Sequence, residues 1–341
     1  MANETRTALV TGSAGFIGFH VAARLLADGF KVVGFDGMTD YYDVTLKQRR
    51  HQALSQSQGF TPIEGLLETD GLVMEIMETH KPDVVVHLAA QAGVRWSIEN
   101  PRAYVDANLI GAFNVLEAVR ANSCAHLLMA STSSIYGANS VMPYEETHKV
   151  DTQMSFYAAT KKANEAMAHS YSHLYDMPIT MFRFFTVYGP WGRPDMAPYK
   201  FTRATIEGDV IDVYNHGDMS RDFTYIDDLV ESIRLLIDTP PERPENADAI
   251  EEGDSLSPVA AWRAVNIGTG SPVRLMDFIE AIEAATGCEA KKNFMDMQPG
   301  DVPATWAEAK LLKRLTGYQP DTDIRTGVAK FVEWYRDYYQ A

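Results

Sequence analysis

The stretch from Thr7 to Asp36 constrains the fold of this chain most tightly. A short apolar run, TALVT, leads into Gly12-Ser13-Ala14-Gly15-Phe16-Ile17-Gly18, then into a helical pattern at Phe19, Val21, Ala22, Leu25 and Leu26 that Gly29 ends, then into KVVGF and Asp36. Strand, glycine-rich turn, helix and strand in that order make the opening βαβ unit of a dinucleotide-binding sheet. Gly12 permits the tight turn, Gly15 lets backbone approach a pyrophosphate, and Gly18 lets the helix pack close to the sheet. The free N–H groups of the first helical turn then face the anion. The spacing G-x-x-G-x-x-G differs from the G-x-G-x-x-G fingerprint, so Asp36 matters to the argument. At the end of the second strand its carboxylate is placed to accept hydrogen bonds from adenosine ribose hydroxyls, and it repels the extra phosphate of NADP. NAD is the expected cofactor.

The alternation continues along the chain. A polar segment from Tyr41 to Gln58 precedes a helical stretch, Thr69 to His80, and the strand Val84 to Leu88. A helix over Ala103 to Arg120, a strand over Ala125 to Ala130, a helix over Ser155 to Tyr175 and a strand over Ile179 to Phe185 follow. Continuous apolar strands between helices predict an α/β fold, a Rossmann-type doubly wound parallel sheet covered on both faces. After Gly189 the texture changes to the Pro-rich GPWGRPDMAPY. The expected division is therefore a cofactor domain over 1–188 and a smaller C-terminal α/β substrate lobe over 189–341, with segments near 225–240 and 263–269 returning to the first domain. Pro240 to Ser257, acidic and poor in large apolar residues, reads as a mobile surface insertion, and Thr326 to Tyr339 as an amphipathic C-terminal helix.

Composition excludes several function classes. A formal net charge of −16 over 341 residues argues against nucleic-acid binding, which needs a basic stripe. No apolar run approaches the ~20 residues of a membrane helix, and MANETRT has no signal-peptide pattern. An unexported, cytoplasmic protein without membrane association is expected. The two cysteines, Cys124 and Cys288, form no C-x-x-C pair, and the nine histidines show no ligand spacing, so no metal is expected.

Two further stretches carry chemistry. Ser131-Thr132-Ser133-Ser134-Ile135-Tyr136-Gly137 by itself reads as a strand end running into a Ser-rich turn. Tyr157-Ala158-Ala159-Thr160-Lys161 puts a phenol and an ammonium on one helix face. Beside a bound, positively charged nicotinamide, Lys161 would lower the phenol pKa and let Tyr157 act as general base on a substrate hydroxyl.

With both sites in hand, the chain resembles the extended short-chain dehydrogenase/reductase family over nearly its whole length. The glycine turn, His87-Leu88-Ala89-Ala90, the hydroxyl-rich strand end with Tyr136-Gly137, Tyr157-x-x-x-Lys161 and Arg221-Asp222-Phe223 carry the resemblance. It implies catalysis by Tyr157, Lys161 and Thr132. It also implies cofactor contacts from Gly12, Gly15, Phe16, Ile17, Gly18, Asp36, Leu88, Ala89, Ala90, Asn108, Tyr157, Lys161 and Phe184, and a homodimer through the Tyr157 helix.

Within that family, 4-epimerases, 4,6-dehydratases and uronate decarboxylases share an initial oxidation at sugar C4. Dehydratases carry Asp-Glu just after the catalytic Thr, and decarboxylases typically a Glu two positions beyond it. Here those positions are Ser133 and Ser134. Asp40-Tyr41-Tyr42-Asp43, Gln91-Ala92-Gly93-Val94-Arg95, the run from Arg183 to Ala197 and the run from Gly217 to Asp228 are similar to UDP-glucuronate 4-epimerases, which supply UDP-sugar precursors for polysaccharides. A UDP-glucose/galactose 4-epimerase and a UDP-glucuronate decarboxylase remain as alternatives. The resemblance gives a UDP-sugar as the partner and, as its binding residues, Arg95, Ser133, Ser134, Thr186, Arg193, Val213, Tyr214, Asn215, Arg221 and Asp301. Arg221 is assigned the diphosphate, since a guanidinium binds phosphate through two N–H groups. The chain departs from the family at Gly65-Leu66, where an acid often contacts adenine, leaving that contact to Glu64 or Glu68. It departs again at Gln298, where an Arg is usual.

Overall fold

The computed structural model describes residues 5–298 and 302–341. Its main sheet has seven strands: β1 (Thr7–Thr11), β2 (Lys31–Asp36), β3 (Phe60–Glu64), β4 (Val84–His87), β5 (His126–Thr132), β6 (Ile179–Phe184) and β7 (Trp262–Ile267). They lie in the order β7-β6-β5-β4-β1-β2-β3, and every neighbouring pair is parallel. The chain first steps outward from β1 through β2 to β3, then crosses back to β4 on the other side of β1. Loops leaving the C-terminal ends of β1 and β4 therefore diverge and open a crevice, the usual place for a ligand in an open α/β sheet.

Among the described residues nine longer helices accompany the strands: α1 (Phe16–Ala27), α2 (Val44–Leu54), α3 (Leu72–His80), α4 (Gly111–Asn122), α5 (Phe156–Tyr175), α6 (Ala197–Glu207), α7 (Ile226–Ile237), α8 (Leu275–Thr286) and α9 (Ile324–Tyr339). Alternate strand residues divide the core between the two faces. Ala8, Val10, Val32, Val86, Leu128 and Val265 pack with α1 and α7. Leu9, Val33, Val85, Leu127, Met181 and Ala264 pack with α3, α4 and α5. Burial on both faces explains why these strands read as continuous apolar runs.

Several boundaries differ from the sequence expectation. The polar segment 41–58 contains α2, whose inward face is Leu46, Lys47, Arg50, His51 and Leu54. Three of those five are basic, so apolar periodicity does not mark the helix. The expected helix from Ala103 is broken into a short turn, Pro101–Tyr104, a π-helical segment, Val105–Ile110, and α4. β5 runs on through Ser131 and Thr132, both buried, because their side chains find partners inside the protein.

The second lobe is built from small pieces. Val210–Val213 pairs in parallel with Lys291–Phe294, and Ile211, Val213, Ile279 and Ala290 form its core beside α6 and α8. Ser220–Arg221 lies between Val273–Arg274 and Ala304–Thr305. Phe223–Tyr225 then pairs in parallel with Thr186–Tyr188, α7 covers the main sheet, and β7 adds to its edge. The insertion 240–257, expected to be mobile, is fastened instead. Arg263 holds Asp254 through two hydrogen bonds of 2.9 and 3.1 Å, and Arg243 donates to the His173 carbonyl at 2.5 Å. Its scarcity of apolar residues did not register these ion pairs and hydrogen bonds.

Candidate active site

A cavity of about 530 Å³ opens at the C-terminal ends of β1, β4, β5 and β6, between the two lobes. Its floor is the glycine turn. Gly12 has φ of 75°, and a Cβ there would lie 2.8 Å from the Ala89 nitrogen. A Cβ on Gly18 would lie 2.0 Å from the Gly12 carbonyl oxygen. Gly12 thus lets the loop after β4 approach, and Gly18 lets α1 start against the turn. Asp36 accepts from the Ala14 N–H through Oδ2 and from the Met38 N–H through Oδ1, each at 2.9 Å, which aims a carboxylate at the cavity wall.

The opposite wall is Leu88, Ala89 and Ala90. The Leu88 and Ala89 N–H groups both donate to Thr11 Oγ1 at 3.2 Å, and Thr11 lies 2.8 Å from His87 Nδ1. Burial, with a smaller push from the Lys161 charge, lowers the His87 pKa to about 3. The ring is therefore neutral, and with Thr11 accepting from two amides, its own proton goes to Nδ1. Phe16, Ile17 and Phe184 complete an apolar lining. A turn with no room for side chains, a carboxylate at the ribose position and apolar walls fit a dinucleotide with a free 2′-hydroxyl.

Asn108, expected among the cofactor contacts, does not line this cavity and makes its hydrogen bonds within the protein. Its Oδ1 accepts from the Gln91 N–H at 2.8 Å, and its Nδ2 donates to the Gln91 carbonyl and to Thr160 Oγ1, both at 3.0 Å. The amide is spent on holding the loop after β4 against α5.

The proton-transfer group sits where β5 and α5 converge. Ser155 caps α5, its Oγ accepting from the Ala158 N–H at 3.1 Å, and Tyr157 and Lys161 stand one turn apart on the cavity side. Burial raises the Tyr157 phenol pKa, while a hydrogen bond from Thr132 and the Arg193 charge pull it down. Within the protein the groups easing deprotonation are therefore Thr132 and Arg193; the part expected of Lys161 applies beside a bound nicotinamide. Burial brings the Lys161 ammonium down to about 8, opposed by the Glu165 charge. Thr132 Oγ1 also accepts the Ser134 N–H at 3.2 Å and shares a 3.3 Å contact with Ser134 Oγ, so the strand end is ordered by its own hydroxyls.

Thr132, Ser133, Ser134, Thr186, Arg193 and Arg221 all line the same cavity. Arg193 is held by a bidentate pair with Asp195, Nε to Oδ1 at 3.0 Å and Nη2 to Oδ2 at 2.6 Å. The Tyr41 hydroxyl donates to the same carboxylate at 3.2 Å, and the Arg193 guanidinium lies 5.7 Å from the Tyr41 ring centre. Arg221 lies across the cavity in the Ser220–Arg221 strand, its Nη1 donating to the Ser220 and Pro303 carbonyls at 2.9 and 3.1 Å.

Other expected contacts fall elsewhere. Arg95 stacks over the Tyr214 ring at 5.2 Å, and neither lines the cavity. Val213 is buried in the core of the small lobe because its strand faces α8 there. Asn215, in a left-handed conformation, donates to the Asp218 carbonyl at 2.6 Å. Asp301 lies outside the described residues. Of the two acids offered for adenine, Glu68 lines the cavity and Glu64 does not. Sequence reasoning missed the roles of Tyr41 and Asp195. The one signal available was the proximity of Asp195 to Arg193, two residues apart.

A seven-stranded parallel sheet with a glycine turn at its switch point and a Tyr-Lys pair over the adjoining strand end defines an extended short-chain dehydrogenase/reductase. The chain belongs to this class: residues 9–331 match the family described as GDP-mannose 4,6 dehydratase. It is 57% identical over 333 residues to a probable UDP-glucuronate 4-epimerase of Rhizobium meliloti (strain 1021), covering 97% of each chain. It is 51% identical over 332 residues to the protein CapI of Staphylococcus aureus, covering 97% of this chain and 99% of that one. Among solved structures, UDP-glucuronic acid 4-epimerase from Bacillus cereus in complex with UDP-glucuronic acid and NAD superposes with a TM-score of 0.86. It is 30% identical, and 98% of this chain and 100% of that chain are covered.

Proposed function

We propose that the protein is an NAD-dependent UDP-glucuronate 4-epimerase, an isomerase that interconverts UDP-glucuronate and UDP-galacturonate. The observation that carries this reading is Ser133 and Ser134 lining the cavity beside Thr132 and Tyr157, in a chain 57% identical to a probable enzyme of that activity. The family description names a dehydratase, yet the positions where a dehydratase or decarboxylase carries its acids hold two hydroxyls.

NAD, when bound, would supply a reversible hydride acceptor for sugar C4, so that oxidation and re-reduction at opposite faces would leave no net redox change. Gly12, Gly15 and Gly18 would admit its pyrophosphate and Asp36 would hold its adenosine ribose. The Tyr157 phenolate removes the 4-hydroxyl proton, Thr132 guides that proton, and Lys161 binds the nicotinamide ribose and tunes Tyr157. A ketone at C4 stands β to the sugar carboxylate, and such an acid loses CO₂ when the breaking C–C bond aligns with the carbonyl π system. The site must therefore hold the carboxylate out of alignment while the sugar turns over. Ser133, Ser134 and Thr186 donate hydrogen bonds without a repelling charge, and Arg193 supplies the opposite charge, oriented by Asp195. Arg221 takes the diphosphate.

The division of labour we assign gives 1–188 to the cofactor and 189–341 mainly to the UDP-sugar, with Arg95, Val213, Tyr214, Asn215 and Asp301 toward the nucleotide end. The enzyme works in the cytoplasm on a polysaccharide precursor. It acts as a homodimer through α5, the Tyr157 helix, where Leu174 and Tyr175 are exposed apolar residues. No helix among the described residues is long and apolar enough to cross a membrane.

An NMR time course with UDP-glucuronate tests the reading. UDP-galacturonate should accumulate with the wild type, and folded Tyr157→Phe that retains bound NAD should turn over at least a hundredfold more slowly. UDP-pentose as the product, or conversion of UDP-glucose in preference to UDP-glucuronate, would replace the proposal with one of its alternatives.

A further inference from the structure

Arg50 on α2 is fully buried, and its guanidinium touches three separate parts of the chain. Nη1 donates to the Ala14 carbonyl at 2.8 Å and to the Tyr42 hydroxyl at 2.9 Å, and Nη2 donates to the Trp191 carbonyl at 2.5 Å. All three acceptors are neutral, and Nε has no partner among the described residues. A buried cation held only by neutral acceptors is costly to keep, so its position calls for a reason beyond packing.

The three acceptors supply one. Ala14 belongs to the glycine turn, and its own N–H is bonded to Asp36. Trp191 stands two residues before Arg193, in the loop that brings Arg193 into the cavity. The same loop is gripped a second time by α1: burial lowers the His20 pKa to about 4, so the neutral ring donates from Nε2 to the Pro190 carbonyl at 2.9 Å. The Trp191 ring is wedged against Phe19 at 5.4 Å and Trp334 at 5.6 Å between centroids. Tyr42, the third partner, adjoins Tyr41, which is bonded to the Asp195 carboxylate that orients Arg193. The turn that would carry the cofactor and the loop that carries Arg193 are thus joined through one rigid, planar side chain.

We infer that Arg50 is a positioning residue that couples the dinucleotide turn to the Arg193 loop, so that cofactor binding and recognition of the sugar carboxylate depend on the same guanidinium. Fixing the turn fixes the Ala14 carbonyl, which fixes Arg50 and through it the Trp191 carbonyl. The inference rests on the proposed recognition of a uronate by this site.

The test compares wild type with Arg50→Met and Arg50→Lys, each checked for cooperative thermal unfolding. Three quantities are measured: KM and kcat for UDP-glucuronate, the Kd of NAD by fluorescence titration, and the Kd of UDP by calorimetry. Arg50→Met should raise the KM for UDP-glucuronate and the Kd of NAD each at least tenfold while the Kd of UDP stays within twofold. Arg50→Lys, whose single ammonium reaches one carbonyl at a time, should recover part of both losses. The inference is overturned if folded Arg50→Met leaves either KM or NAD affinity unchanged, or if UDP affinity falls in parallel with them, which marks general loosening. Should Arg50→Met not fold, the same ratio in Arg50→Lys decides. A wild type that does not turn over UDP-glucuronate overturns the functional reading itself, and the coupling with it. An active wild type with unaffected variants overturns the coupling alone.

Discussion

Arg183 and Glu165 form a bidentate ion pair in the core, Nε to Oε1 at 3.0 Å and Nη2 to Oε2 at 2.9 Å, with 3% and 2% of their side chains exposed. Ser131 Oγ donates to the same carboxylate at 2.7 Å, and Arg183 Nη1 donates to the Tyr136 hydroxyl at 2.9 Å. The pair therefore ties α5, one turn below Lys161, to β5 and β6 directly beneath the hydroxyl-rich strand end. Burial pushes the Glu165 carboxyl up, and the Arg183 charge and hydrogen bonds outweigh it and hold it below the usual range. Glu165→Gln leaves Arg183 charged and unpaired in the interior, and should cost about 3 kcal/mol in urea unfolding. Adding Arg183→Met should restore more than half of that loss. Additive losses in the double variant would show that the two residues stabilise the protein separately.

Gly18 tests the cradle. A methyl group there meets the Gly12 carbonyl oxygen, an unyielding backbone atom, at 2.0 Å. Gly18→Ala should push α1 away from the turn, destabilise the protein by about 1–3 kcal/mol, and abolish retention of NAD through gel filtration. Gly29→Ala serves as the control. Its φ is 86° and nothing lies within 4 Å of the added carbon, so it should show modest backbone strain and normal retention of NAD. Equal NAD retention in the two variants would refute the role assigned to Gly18.

What could be read from the sequence was whatever depends on neighbours along the chain. The glycine turn, the strand-helix alternation, Asp36 and the Tyr157-x-x-x-Lys161 pair are local patterns, and each appears at the cavity or in the sheet. Helix α2 was not legible because the face it buries contains Lys47, Arg50 and His51, polar groups satisfied outside the helix, Lys47 by Thr39 and the other two mainly by Ser13, Ala14 and Trp191. Arg50 with Trp191, Tyr41 with Asp195, and Glu165 with Arg183 are pairings created by tertiary packing, and no periodicity announces them. Asn108 shows the converse. A motif resemblance drew attention to the residue, and the π-helical segment that carries it turns its amide onto the Gln91 backbone, a contact that the motif does not announce.

Glu146 gives the protein a pH dependence of known sign. Its Oε1 accepts the Asn266 N–H at 2.8 Å in the core, and burial raises its carboxyl from 4.5 to about 7. Between those two values the unfolded chain releases a proton that the folded chain keeps. Stability should therefore fall as pH rises from about 4.5 to about 7, by up to about 3 kcal/mol from this one group. Glu146→Gln keeps the acceptor and removes the titration. Its unfolding free energy should exceed that of the wild type at pH 8 and equal it near pH 4. An unchanged difference across that range would mean that Glu146 does not titrate in the folded protein.

Thr132 should act on rate through the ionisation of Tyr157. Its hydroxyl is one of the two groups that draw the buried phenol down, the other being the Arg193 charge. Thr132→Val removes that hydrogen bond at nearly constant volume, so the acid limb of the kcat profile should move to higher pH. Turnover at pH 7 should fall by about tenfold or more. The loss should shrink as pH rises from 7 toward 8, where more phenolate forms while Lys161, with its pKa brought down to about 8, keeps its proton in at least half of the molecules. Thr132→Ser, which keeps the hydroxyl, should leave the limb in place. A uniform loss of kcat at every pH would assign Thr132 to substrate orientation, because a positioning defect lowers the rate without changing which protonation state reacts.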